Sequence, residues 1–259
     1  DGIPHHMIDV ADPEEDFSVA RYVELAAPCV DDILARGKLP IVAGGTGLYL
    51  DSLLSGRTFA PFSPDGGLRA RLEARFDALG GEAMLGELAA ADPEAAARLH
   101  PNDRKRIVRA LEVFQQTGKT ISQHNRETRA LPLRYDALTL SLAFQRREDM
   151  WARIDRRVDE MMAAGLAEEV RALLDSGVPA RCTAMQAIGY KEMAAAQRGG
   201  GDVCAAAEEI KLRSRQYAKR QLTWFRRTEG AKWLFWGPEP DFEAACRTST
   251  KYLEEFGLV

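Results

Sequence analysis

The chain has 259 residues, 46% of them hydrophobic and 29% charged, with a formal net charge of −4 at pH 7. That content supports a globular core of one or two domains, and the near-neutral balance excludes binding to nucleic acid through bulk charge, so any such surface must be local. The longest uncharged run, residues 39–50, falls short of the ~20 apolar residues of a membrane helix, and no basic-then-apolar leader opens the chain. The reading is a soluble protein with no membrane partner.

Ser18 is placed to N-cap a helix over 18–36 that ends at Gly37 and is kinked or split by Pro28. The run Leu39-Pro40-Ile41-Val42-Ala43 is short, apolar and closed by Gly44-Gly45, the pattern of a strand buried on both faces of a parallel sheet, with a helix following over 48–54. A break rich in Pro, Ser and Phe over 57–64 leads into wholly helical sequence, with helices expected over 68–79, 82–91, 93–99, 103–116 and 121–129. Strand character returns over 137–144, and helices follow over 148–164, 166–175, 183–197 and 202–227. A strand over 232–236 and a helix over 242–256 close the chain. Strands separated by helices predict an α/β core over 1–60 and 133–259 with a parallel sheet, interrupted by an all-helical insertion over 61–132.

The four cysteines (Cys29, Cys182, Cys204, Cys246) show no paired C-x-x-C spacing, so they read as reduced thiols, mostly packed as small apolar groups, in a reducing cytoplasm. His5 and His6 are adjacent and in a strand would point to opposite faces, which does not suggest a shared metal. No metal site is expected within this chain.

Gly44-Gly45-Thr46-Gly47 lies where open parallel sheets place ligands, although a capped strand-to-helix turn fits the same pattern. Thr117-Gly118-Lys119-Thr120 ends like a P-loop, but position 113 is Val113 where the first glycine is required, so Gly118 reads as a helix C-cap. The strongest local charge is residues 211–227, with seven basic side chains and no acid; on a helix, an aromatic stripe containing Tyr217, Gln221, Trp224 and Phe225 would dock while flanking cations face phosphates. Arg104-Lys105-Arg106 follows the helix-starting Asp103 and could contact a nucleic-acid backbone or serve as ordinary exposed bases. Arg153 and Arg157 offer the forked donors that suit a pyrophosphate, and also the i,i+4 pairing of a plain surface helix.

Taken together, five ordered motifs resemble the tRNA dimethylallyltransferase family, also called tRNA isopentenylpyrophosphate transferases. They are Gly2-Ile3-Pro4-His5-His6-Met7-Ile8-Asp9-Val10; Pro40-Ile41-Val42-Ala43 with Gly44-Gly45-Thr46-Gly47-Leu48-Tyr49; and His100-Pro101-Asn102-Asp103 with Arg109-Ala110-Leu111-Glu112-Val113. The last two are Ala187-Ile188-Gly189-Tyr190-Lys191-Glu192 and Lys219-Arg220-Gln221-Leu222-Thr223-Trp224-Phe225. The resemblance implies a P-loop NTPase-like α/β core whose helical insertion grips the tRNA anticodon stem-loop. It implies that N6 of the adenosine 3′ of the anticodon, adenosine-37, displaces magnesium-bound pyrophosphate from dimethylallyl pyrophosphate, with the base taken out of its stack to react.

The same resemblance makes Thr46 the active-site threonine and Arg157, with Arg153, the pyrophosphate contacts. It assigns tRNA contacts to Arg69, to Lys105, Arg106, Ile107, Val108 and Arg109, and to Gln186, Ala187, Ile188, Gly189, Tyr190 and Lys191. Further tRNA contacts fall on Lys219, Arg220, Gln221, Thr223, Trp224 and Arg226. Mg2+ is the expected cofactor, and a monomer is the expected state. The family's phosphate loop and a following aspartate segment would precede Gly2, and neither pattern occurs in these 259 residues. The expectation is therefore a chain entered midway, whose catalytic competence depends on groups outside it. Two other activities stay open: prenylation of free adenylate, as in cytokinin synthesis, and RNA binding without catalysis.

Overall fold

The computed structural model describes residues 2–57, 59 and 66–258. The chain divides into two units, Asp1–Leu53 with Asp136–Val259, and Leu54–Tyr135. The insertion is expected over 61–132, and residue 61 lies outside the described residues.

Helix α1 (Val19–Ala35) starts as expected: Ser18 accepts a hydrogen bond from the Arg21 N–H, and Pro28 is carried inside one continuous helix rather than splitting it. The strand expected over 39–43 does not form. These residues pair with no neighbour among the described residues; Ile41 is 80% exposed and Val42 40%. A continuously apolar run codes for a buried strand only where both its edges find ladder partners, and here neither does. Helix α2 (Gly47–Leu54) follows directly.

The second unit holds α3 (Gly66–Ala91), α4 (Pro93–Ala96), α5 (Arg104–Thr117) and α6 (Ile121–Arg129). The two helices expected over 68–79 and 82–91 run on as α3, broken at Gly80, whose φ of 80° is outside helical geometry. Gly118 has φ 70° and C-caps α5, and Thr120 and Gln123 form a reciprocal capping box at α6. The core here is Leu72, Met84, Leu88, Ile107 and Leu111, each at most 1% exposed; full burial of such side chains is worth about 1.5–3 kcal/mol apiece.

In the first unit, β1 (Leu140–Phe144) leads to α7 (Arg147–Ala163), α8 (Leu166–Asp175), a 3-10 turn Ala184–Gln186, α9 (Tyr190–Gly199), α10 (Val203–Phe225), β2 (Lys232–Trp236) and α11 (Phe242–Phe256). β1 and β2 pair in parallel, Leu140 opposite Lys232 and Phe144 opposite Trp236. The parallel pairing is the expected one. Ser141, Ala143 and Leu234 are buried, whereas Leu142 and Phe235 are exposed.

The single helix expected over 183–197 is instead the 3-10 turn and α9, separated at Gly189, which is buried with φ 105°. Val158, Leu166, Val170, Met185, Met193 and Ile210 knit α7 to α10 into one core. Cys182 joins that core, but Cys204 and Cys246 are exposed, so the expectation that the thiols mostly pack inside is corrected. No described helix is long and apolar enough to cross a membrane.

Candidate active site and RNA-facing residues

Thr46 occupies the turn that starts α2. Its carbonyl accepts from the Tyr49 N–H at 2.9 Å and the Leu50 N–H at 3.2 Å, and the residue is exposed. The turn is held by α10: Gln221 Nε2 donates to the Gly45 carbonyl at 2.9 Å, and Trp224 Nε1 donates to Asp51 Oδ2 at 3.0 Å. The glycines serve this approach. A Cβ on Gly45 would lie 2.0 Å from Gln221 Nε2, and one on Gly47 would lie 2.2 Å from Trp224 Cδ1. Of the α10 stripe expected to dock, Gln221 and Trp224 make these contacts.

Its flanking cations divide in two. Arg215 donates to both Asp155 oxygens at 2.7 Å, Lys211 pairs with Asp159 at 2.7 Å and Glu208 at 2.8 Å, and Arg213 pairs with Glu209 at 2.6 Å. Asp159 first and Glu208 second hold the Lys211 ammonium well above its ordinary range. These three bases are spent on α7 and on the preceding turn of α10, a correction to the reading of the whole 211–227 run as phosphate-facing. Lys219, Arg220, Thr223 and Arg226 are exposed further along, with the Arg220 guanidinium 5.5 Å from the Tyr217 ring centroid.

On α7, Arg157 is exposed and no acid among the described residues pairs with it, while Arg153 reaches Glu160 at 3.8 Å. Such a long, exposed pair is worth at most about 1 kcal/mol, so Arg153 remains available to an anion.

The stretch 186–191 is mixed. Gln186 donates to the Ala180 carbonyl at 2.8 Å, Gly189 is buried, and Ile188 packs on the core, so of its side chains Lys191 is the exposed cation. Tyr190 donates to Glu169 at 2.5 Å; that bond, followed by burial, pushes the Tyr190 phenol up to about 12. A groove between α9 and α10 brings Gln186, Ile188 and Lys191 together with Gln216 and Arg220.

In the second unit, Ile107 is 0% exposed and Val108 3%, so their side chains build the core and cannot touch RNA; Lys105 and Arg106 are the exposed members of that stretch. Helical periodicity separates the two pairs, and a run assigned as a block hides it. Arg69 and Arg109 converge on the buried Glu112, each within 2.7 Å. Burial alone would raise the Glu112 carboxyl, but the hydrogen bonds from Arg69 and then Arg109 outweigh it and the net direction is down. Arg109 is a local i,i+3 partner of Glu112, but nothing in the sequence near Glu112 or Asp51 reveals Arg69, 43 residues away, or Trp224, 173 residues away.

Among the described residues no three His, Cys, Asp or Glu side chains converge to hold a metal ion. Magnesium usually keeps several waters and is held by one or two carboxylates together with substrate phosphates, so it needs no such cluster.

The sequence model of a family described as IPP transferase matches residues 1–228. The chain is 48% identical over 232 residues to tRNA dimethylallyltransferase 1 of Trichlorobacter lovleyi, covering 90% of this chain and 75% of that protein. It is 43% identical over 243 residues to the tRNA dimethylallyltransferase of Bacillus subtilis, covering 94% and 76%. Among solved structures it resembles the tRNA isopentenylpyrophosphate transferase of Bacillus halodurans, with a TM-score of 0.68 and 37% identity over 98% of this chain and 78% of that one. A eukaryotic dimethylallyltransferase described as acting on tRNA aligns with a TM-score of 0.75 and 28% identity, over 98% and 66%. The fold is thus α/β and P-loop-like, helix-rich, with an all-helical second unit. The chain belongs to the IPP transferase family.

Proposed function

We propose that this chain carries dimethylallyl transfer to tRNA. N6 of the adenosine 3′ of the anticodon bonds to the allylic carbon of dimethylallyl pyrophosphate as the carbon–oxygen bond to pyrophosphate breaks, and the amine gives up one proton. The observation that carries this reading is a family match over residues 1–228, which takes in the Thr46 turn, α7 and α10 alike.

Thr46 is the hydroxyl offered to the reacting base, at a helix start whose N–H groups favour partial negative charge. Arg157, with Arg153, binds the pyrophosphate through forked donors. Magnesium would arrive with the pyrophosphate and would offset its charge as it leaves. Lys105, Arg106, Lys191, Lys219, Arg220 and Arg226 are the exposed cations available to the anticodon stem-loop backbone, with Thr223 beside them. Arg69, Arg109, Tyr190, Gln186 and Ala187 remain proposed contacts. A monomer working in the cytoplasm completes the reading.

Arg106→Ala and Arg220→Ala are expected to weaken tRNA binding and to flatten its log–log salt dependence by about one unit of slope per lost phosphate contact. An unaltered slope in both would displace the RNA surface from these helices. Offering tRNA and free adenylate as competing acceptors tests the substrate: the reading predicts transfer to tRNA, and transfer to adenylate alone would favour the nucleotide-prenylating alternative.

A further inference from the structure

Gln221 and Trp224 are expected to contact tRNA, yet both side-chain donors are taken up within the chain, by the Gly45 carbonyl and by Asp51, although Trp224 is still 39% exposed. Three residues apart on α10, they share a face of that helix. Their acceptors bracket Thr46, one residue before it and five after. The fit is close, since neither Gly45 nor Gly47 could carry a Cβ without displacing the partner side chain. Gly47 is buried beneath the indole, while Thr46 stays exposed.

We infer that Gln221 and Trp224 are positioning residues: they clasp the turn from Gly45 to Asp51 and so fix where the Thr46 hydroxyl stands, rather than binding RNA themselves. This rests on the reading of Thr46 as the group that meets the base. A turn made largely of glycine is permissive in φ and ψ, and without the clasp its hydroxyl would sample many positions. A displacement of about 1 Å at a reacting group can cost on the order of 10²-fold in rate.

The test uses the intact protein with Gln221→Met, which keeps length but cannot donate, and Trp224→Phe, which keeps a ring over Gly47 but loses the indole N–H. Single-turnover transfer rate and tRNA affinity are measured for each, alone and combined with Thr46→Ala, with thermal unfolding to report folding. Each clasp variant is expected to slow transfer by roughly 10-fold or more with tRNA affinity within about twofold of the parent, and to add little in the Thr46→Ala background. Weakened tRNA binding at an unchanged rate would overturn the inference in favour of direct RNA contact. An equal slowing with and without Thr46, or a loss of folding in both clasp variants, would overturn it in favour of a general structural role. If Thr46→Ala slows transfer and neither clasp variant does, the inference alone fails; if Thr46→Ala leaves transfer unchanged, the reading beneath it fails as well.

Discussion

Thr46→Ala is expected to lower turnover by roughly 10²-fold with little change in tRNA affinity, because it removes one positioned polar group from the reacting centre. The backbone consequences should be small. The helix-starting bonds to Tyr49 and Leu50 come from the Thr46 carbonyl, which alanine keeps, and the turn is held from Gly45 and Asp51 by α10. Thr46→Ser keeps the hydroxyl and should restore most of the rate. An equal loss in kcat and kcat/KM is the signature of an interaction made in the transition state, so steady-state kinetics over a range of tRNA concentrations separates this from weaker binding. Unchanged turnover would remove Thr46 from the chemistry.

The largest expected effect on stability lies in the helical unit. Replacing both Arg69 and Arg109 by Met leaves Glu112, 2% exposed, buried without its cations, and should destabilise the unit by about 3 kcal/mol at pH 7. The pH dependence has a defined sign. The folded Glu112 carboxyl lies below its ordinary value, so its contribution is full above the unfolded pKa of about 4.3 and is lost as pH falls through the lowered folded value. Asp92 behaves alike: burial would raise it, but the Ser122 and Ala95 N–H groups hold it down on balance. The parent should therefore lose stability below about pH 4, and the gap between parent and double variant should narrow there. Urea unfolding at pH 7 and pH 3.5 reads both; an equal gap at the two pH values would mean that Glu112 is not held by its arginines.

Much of the helical architecture was legible because local signals agree with it. Ser18, Thr120 and Gly118 announce helix ends, and α6, β2 and α11 fall on the expected residues, since caps and periodicity are short-range properties. Residues 39–43 failed for the opposite reason: whether an apolar run becomes a strand is decided by neighbours that its own sequence does not specify. Gly189 failed more subtly, as a glycine tolerated within a helix and one that breaks it look alike until its φ is known.

At the site, the Thr46 turn and the docking face of α10 were readable, and their union was not. Gln221 looked as available to RNA as Arg220, its neighbour, until the fold turned one toward Gly45 and left the other exposed. The 211–227 run likewise hid its division, because the acids neutralising its first half lie on α7 and in the turn before the run. Charge counted along a segment says nothing of partners that arrive through tertiary packing.

Transfer of a dimethylallyl group to one adenosine of tRNA leaves a mass that can be located. The most direct test incubates the intact protein with dimethylallyl pyrophosphate and an anticodon stem-loop bearing an adenosine 3′ of the anticodon, then locates added mass by nuclease digestion and mass spectrometry. One added dimethylallyl group on that adenosine, at N6, is the predicted result. Binding of the stem-loop with no added mass at any adenosine, or addition only to free adenylate, would contradict it.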